Sequence, residues 1–75
     1  MIAQFICSWV LDDGAYKPSI GIDYPFDTIT DATGQAAANI ADSLDPNTVV
    51  VEVTGTQAMI DAAAADDDCY LLWVQ

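Results

Sequence analysis

The chain has no histidine and no arginine, and Lys17 is its only basic side chain. Direct binding to DNA, RNA or an anionic membrane requires clustered cations that neutralise phosphates, so none of these is an expected partner. The same shortage empties the catalytic inventory. Acid–base and nucleophilic catalysis call for a group with a pKa near neutrality, positioned by a second group. Besides one Lys and two cysteines in or beside apolar runs, only carboxylates remain, and catalytic carboxylate pairs sit in clefts that a short domain can scarcely build. The expectation is a non-enzyme that carries no cofactor. Cys7 and Cys69 lack metal-motif spacing and read as two buried thiols, with a disulfide as the alternative. Long hydrophobic stretches are missing too, since none reaches the roughly 18 apolar residues that span a bilayer. The apolar run Ile2 to Leu11 has no basic region before it and leads straight into a turn, which is not the pattern of a secretory signal.

What is present is a core. A chain of 75 residues has room for a single domain, residues 1–75, and buries only about 60% of the surface its unfolded form exposes. With 53% of its residues hydrophobic, it can do so and is not expected to be disordered. The net charge of −11 favours a partner that is basic, apolar or cationic. A purely solubilising surface, or adaptation to a saline habitat, would give the same acid-rich balance.

The apolar pattern gives the elements. In Ile2 to Leu11, residues Ala3, Phe5, Cys7, Trp9 and Leu11 share one face while Ile2, Ile6 and Val10 share the other, which predicts a strand buried on both sides and hence central. Asp12-Asp13-Gly14 is a turn signal, and Tyr16 to Ile22 can return as a second strand, which Pro18 places at an edge or makes irregular. Gly21 to Gly34 reads as a loop that can hold a short strand around Thr28 to Asp31. The spacing of Ala36, Ala37, Ile40, Ala41 and Leu44 predicts a helix over Gln35 to Leu44, stopped by Asp45-Pro46-Asn47. Thr48 to Val53 is the clearest strand. Thr54-Gly55-Thr56-Gln57 fits a capping box with Thr54 as the cap, opening a helix from about Thr56 to Ala65 with Met59, Ile60, Ala63 and Ala64 inward. Cys69 to Val74 is the last strand. The predicted class is α+β: a mixed or antiparallel sheet with two short helices on one face, in a split β-α-β arrangement related to the ferredoxin-like folds, in the element order β-β-(β)-α-β-α-β.

Candidate partner-binding residues are Trp9 and Trp73, Tyr16, and the acidic clusters Asp12-Asp13 and Asp66-Asp67-Asp68. If the first and last strands pair antiparallel, both clusters fall at one end of the sheet. Such a pole can be a solvated surface, a dock for a basic partner, or an oxygen-rich cation site, although its spacing lacks the alternation and turn glycine of an EF-hand loop. Two short helices can cover only one sheet face, so the other is expected to expose apolar residues and to bind a partner protein or a second copy of the chain.

Several segments share an order with a known group. Tyr16-Lys17-Pro18-Ser19-Ile20 after the acid–glycine turn, Asp31-Ala32-Thr33-Gly34-Gln35, Asp45-Pro46-Asn47-Thr48-Val49-Val50-Val51 and Tyr70-Leu71-Leu72-Trp73 resemble small tailed-bacteriophage structural and assembly proteins, in which Arg is more familiar at the position of Lys17. The resemblance implies a bacteriophage virion or assembly protein that is capsid-associated, acting as decoration, cement or a head-completion component, and located in the virion or the host cytoplasm. The alternative is an acidic nucleic-acid mimic that inhibits a host DNA- or RNA-binding protein, although the acids lie in turns and helix ends and not along one face. A non-viral regulatory or chaperone-like binding module is a third reading.

Overall fold

In the computed structural model, residues 1–31 and 48–75 are described. They form β1 (Ile2–Asp12), β2 (Ala15–Pro18), α1 (Ser19–Asp23), β3 (Thr28–Asp31), β4 (Thr48–Thr54), α2 (Gln57–Ala64) and β5 (Cys69–Val74). The helix predicted over Gln35 to Leu44 lies outside the described residues.

β1 is the central strand its sequence predicts, hydrogen-bonded along both edges, but only one of its faces is fully buried, since Ile2 is exposed and Ile6 and Val10 are half-buried. Along one edge, residues 2–8 pair with β4, from Ile2 opposite Thr54 to Ser8 opposite Thr48. Residues 3–7 also pair with β5, from Ala3 opposite Val74 to Cys7 opposite Cys69, so β5 must occupy the other edge. The last part of β1, from Trp9 to Asp12, pairs with β2. β3 is added outside β4. All four ladders are antiparallel, and with the helices they make an α+β domain. β4 and β5, both antiparallel to β1, run parallel to each other and are joined through α2.

One face of this sheet carries the core. Ala3, Phe5 and Cys7 of β1, Val49, Val51 and Val53 of β4, and Cys69 of β5 are buried with Ile20 of α1 and with Ile60 and Ala63 of α2. Trp9, Tyr24, Phe26, Ile29 and Leu71 close around them. Phe26 bridges the aromatics, with ring centroids 6.3 Å from Phe5 and 6.2 Å from Tyr24.

Local chemistry explains where elements begin and end. Asp13 and Gly14 both have positive φ, 50° and 81°, the conformation of a tight hairpin turn whose twist suits the flanking strands. The predicted strand Tyr16 to Ile22 is corrected: β2 stops at Pro18 and Ser19–Asp23 turn into α1. Pro18 has no N–H for the ladder, and its φ of −60° lets it precede a helical turn. The turn buries Ile20 and leaves Ile22 exposed, whereas a strand would have placed both on one face.

The cap is corrected as well. Thr56, not Thr54, is the N-cap of α2, its hydroxyl accepting from the Met59 amide at 3.3 Å. Thr54 is held in β4 between Ile2 and Thr28, and its hydroxyl bonds that of Thr28 at 2.6 Å. The Gln57 side chain donates forward to Asp61 at 2.7 Å. Gly55 lies between strand and cap in a tight passage, where a Cβ would stand 3.0 Å from both Met59 Sδ and Phe26 Cδ1. In α2 the buried residues are Ile60 and Ala63, while Met59 is half-buried and Ala64, expected inward, is exposed.

Phe5→Ala is expected to cost about 3–5 kcal/mol, enough to unfold a domain of this size. Thr56→Ala removes only the cap and should cost about 1 kcal/mol. Urea titrations followed by circular dichroism check both values.

Candidate functional site

The face of the sheet opposite the core is built from the other set of alternating positions. β1 contributes Ile2, Gln4, Ile6, Ser8 and Val10, and β4 contributes Val50 and Glu52. On β5 the register shifts between Gln4 and Phe5: Gln4 faces Trp73 while Phe5 faces Leu71, so Leu72 is an extra residue. Residues three apart in a regular strand point to opposite faces. The bulge cancels that rule and sets Tyr70, opposite Ile6, and Trp73, opposite Gln4, on the same face. The Trp73 indole N–H donates to Gln4 Oε1 at 2.9 Å, which fixes its orientation across the strands.

Two rows result. Tyr70, Ile6 and Val50 form an apolar row, in which Tyr70 is 69% exposed, Ile6 is half-buried and Val50 is buried. Beside it, Trp73, Gln4, Glu52 and Thr30 form a row with polar groups and one aromatic, in which Trp73 is 39% exposed. The open face is thus less uniformly apolar than expected. Ile2 is exposed, but Ile6 and Val10 are half-buried, and Gln4, Ser8 and Glu52 interrupt them.

The predicted site residues separate. Trp73 belongs to the open face, whereas Trp9 lies on the core face, partly buried against the core cluster. Tyr16 is 70% exposed on β2, opposite the exposed Leu11, and together they form a second apolar spot at the hairpin end. Tyr70 was not singled out from the sequence. Its signal was a polar-tipped aromatic within an otherwise apolar strand, but the bulge that pairs it with Trp73 is a property of backbone register.

The acidic clusters also divide. With Cys7 opposite Cys69, the strand register carries Asp12-Asp13 and Asp66-Asp67-Asp68 toward the same end of β1, yet they do not gather. Asp12 pairs with Lys17 Nζ at 3.2 Å, both half-exposed, which contributes little to stability. Asp66 accepts from the Tyr24 hydroxyl at 2.5 Å and from the Asp68 amide at 2.9 Å. It therefore ties the turn before β5 to the loop after α1. Asp13, Asp67 and Asp68 are exposed. Among the described residues, no three His, Cys, Asp or Glu side chains are grouped to hold a metal ion.

Charge shifts follow these contacts. The hydrogen bond from Tyr24 holds the Asp66 carboxyl below its ordinary value, helped by the Asp68 amide. The same bond, with partial burial and the Asp66 charge, pushes the Tyr24 phenol up to about 12. Burial pushes the Cys69 thiol up to about 12, with Asp66 and Cys7 adding to it, which leaves little nucleophilic thiolate at neutral pH.

Compared with known proteins, the chain matches no family model, no curated protein and no solved structure. No helix among the described residues is long and apolar enough to cross a membrane.

The Tyr24–Asp66 bond predicts a pH signature. The Tyr24 pKa rises on folding from 10.0 to about 12, so its contribution to stability is complete below pH 10 and is lost as pH rises toward 12. The Asp66 pKa falls on folding, so its contribution holds above the ordinary carboxylate range and is lost on acidification. The stability difference between the native chain and Tyr24→Phe should hold up to about pH 10 and shrink above it, as measured by urea midpoints across pH.

Proposed function

We propose that the domain is a non-catalytic binding protein whose open sheet face seats a protein partner, and that it serves a tailed bacteriophage as a capsid-associated virion or assembly component. The observation that carries the binding reading is the placement of Tyr70 and Trp73 together on a face that the core-side helices do not cover. Aromatics with an apolar body and a polar tip are favoured anchors at protein interfaces, where a few residues supply most of the affinity.

Several features support the absence of catalysis. The chain has no histidine, the Cys69 thiol is pushed away from reactivity, and Asp66 is committed to Tyr24. The net charge of −11 supports a protein partner over nucleic acid or an anionic membrane. The phage assignment rests on the order of the four segments given above. On that reading, the unit β4–α2–β5 reaching across β1 is the split β-α-β of a distant ferredoxin-like relative. Many weakly bound copies on a symmetric shell would gain strength by avidity, so decoration, cement and head completion all suit a domain with a modest docking face. The exposed Asp67 and Asp68 would face solvent or basic patches on the shell.

Mass spectrometry of purified particles should find the chain at many copies per particle, and its absence there would overturn the assignment. The double variant Tyr70→Ser, Trp73→Ser should keep its circular dichroism spectrum and lose at least about 30-fold in particle affinity. Asp67→Asn with Asp68→Asn should change affinity by much less and lower its salt dependence. The opposite ranking would move the interface to the acidic turn.

A further inference from the structure

Cys7 and Cys69 stand directly opposite each other on β1 and β5, and both are buried thiols. In an antiparallel ladder, opposite residues alternate between pairs that exchange two backbone hydrogen bonds and pairs that exchange none, and the second kind brings the Cα atoms closer, to about 4.5 Å. Ile2 and Gln75 exchange both bonds, at 3.4 and 2.8 Å. The extra residue of the ladder, Leu72, lies on β5, so alternation along β1 is unbroken. Residues 2, 4 and 6 turn their backbone groups toward β5, and residue 7 turns its own toward β4. The Cys69 amide agrees, since it donates to the Asp66 carbonyl at 3.1 Å and not across the ladder. Cys7 and Cys69 are therefore a pair without mutual backbone bonds. The Cα spacing of such pairs falls within the roughly 4.4–6.8 Å range of disulfides, and alternation sends both side chains to the core face of the sheet.

We infer that Cys7 and Cys69 are an oxidisable cross-strand pair, able to form a disulfide that staples β5 to β1 inside the folded domain. With a low-molecular-weight disulfide such as oxidised glutathione as the oxidant, one cysteine thiolate attacks it and forms a mixed disulfide, and the released glutathione thiolate takes up a proton. The second cysteine loses its proton and attacks the protein sulfur of the mixed disulfide, closing the Cys7–Cys69 bond and releasing the second glutathione. The two protein thiols give up two electrons and two protons, and the oxidant takes them as two thiols. Burial and the raised Cys69 pKa, about 12, keep this exchange slow, while the reduction potential of the pair against that of its surroundings decides whether it closes. Because Tyr70 follows Cys69 directly, the bond also fixes the strand that carries both aromatics of the open face.

The test equilibrates the native chain in oxidised glutathione and reads mass, peptide linkage and thermal midpoint. The expected result is a loss of two hydrogens, one linked peptide pair containing Cys7 and Cys69, and a midpoint raised by at least about 10 °C and restored by a reductant. Glutathione adducts on both cysteines, a disulfide-linked dimer, or an unmodified chain at redox equilibrium would each overturn the inference. Cys69→Ser should abolish the midpoint rise, and the native-chain result stands independently if that variant folds poorly.

Discussion

β1 is hydrogen-bonded along both of its edges, and this pairing decides how its two faces can be covered. β4 takes one edge, while β5 takes the other and β2 takes the last residues of the strand. A strand held in this way cannot tilt to bury both of its faces against its neighbours. Each face must be covered by something else or left open. Ala3, Phe5 and Cys7 are covered by Ile20, Ile60 and the aromatics of the loop after α1. Among the described residues, neither helix packs on the face that carries Ile2, Gln4 and Ile6.

A second constraint follows from the first. Because the register of β1 is fixed from both sides, the extra residue in β5 has to be absorbed by β5 itself, as the bulge at Leu72. That local adjustment places Tyr70 beside Trp73 and gives the open face its aromatic pair. The acids take a different part. Asp66 is engaged by Tyr24 and orders the turn before β5, Asp12 makes only a half-exposed ion pair with Lys17, and Asp67 and Asp68 remain for solvent or for a partner. In the proposed function the sheet supplies the contact and the exposed acids supply solubility.

Elements that the sequence shows well are those whose side chains alternate between two environments. β1, β3, β4 and β5 fall within one or two residues of their predicted limits because Phe5, Val51 or Ile29 must face the core while their neighbours do not. Elements decided by the backbone were less legible. Pro18 signalled an interrupted strand, but nothing in Tyr16 to Ile22 showed that a helical turn would bury Ile20. Thr54 and Thr56 are equally good caps chemically, and only the pairing of Thr54 with Ile2 and Thr28 decides for Thr56. Trp9 and Trp73 looked alike in two apolar strands, yet one packs on the core and the other lies on the open face, because the bulge resets the alternation of β5.

In the proposed function the open face, and not the helical side, meets the partner. The most direct measurement places a photo-cross-linking amino acid at position 70 in one chain and at position 58, exposed on α2, in another, and irradiates each on purified particles. The account predicts a cross-link to a virion protein from position 70 and none from position 58. Cross-linking from position 58 with none from position 70 would contradict it.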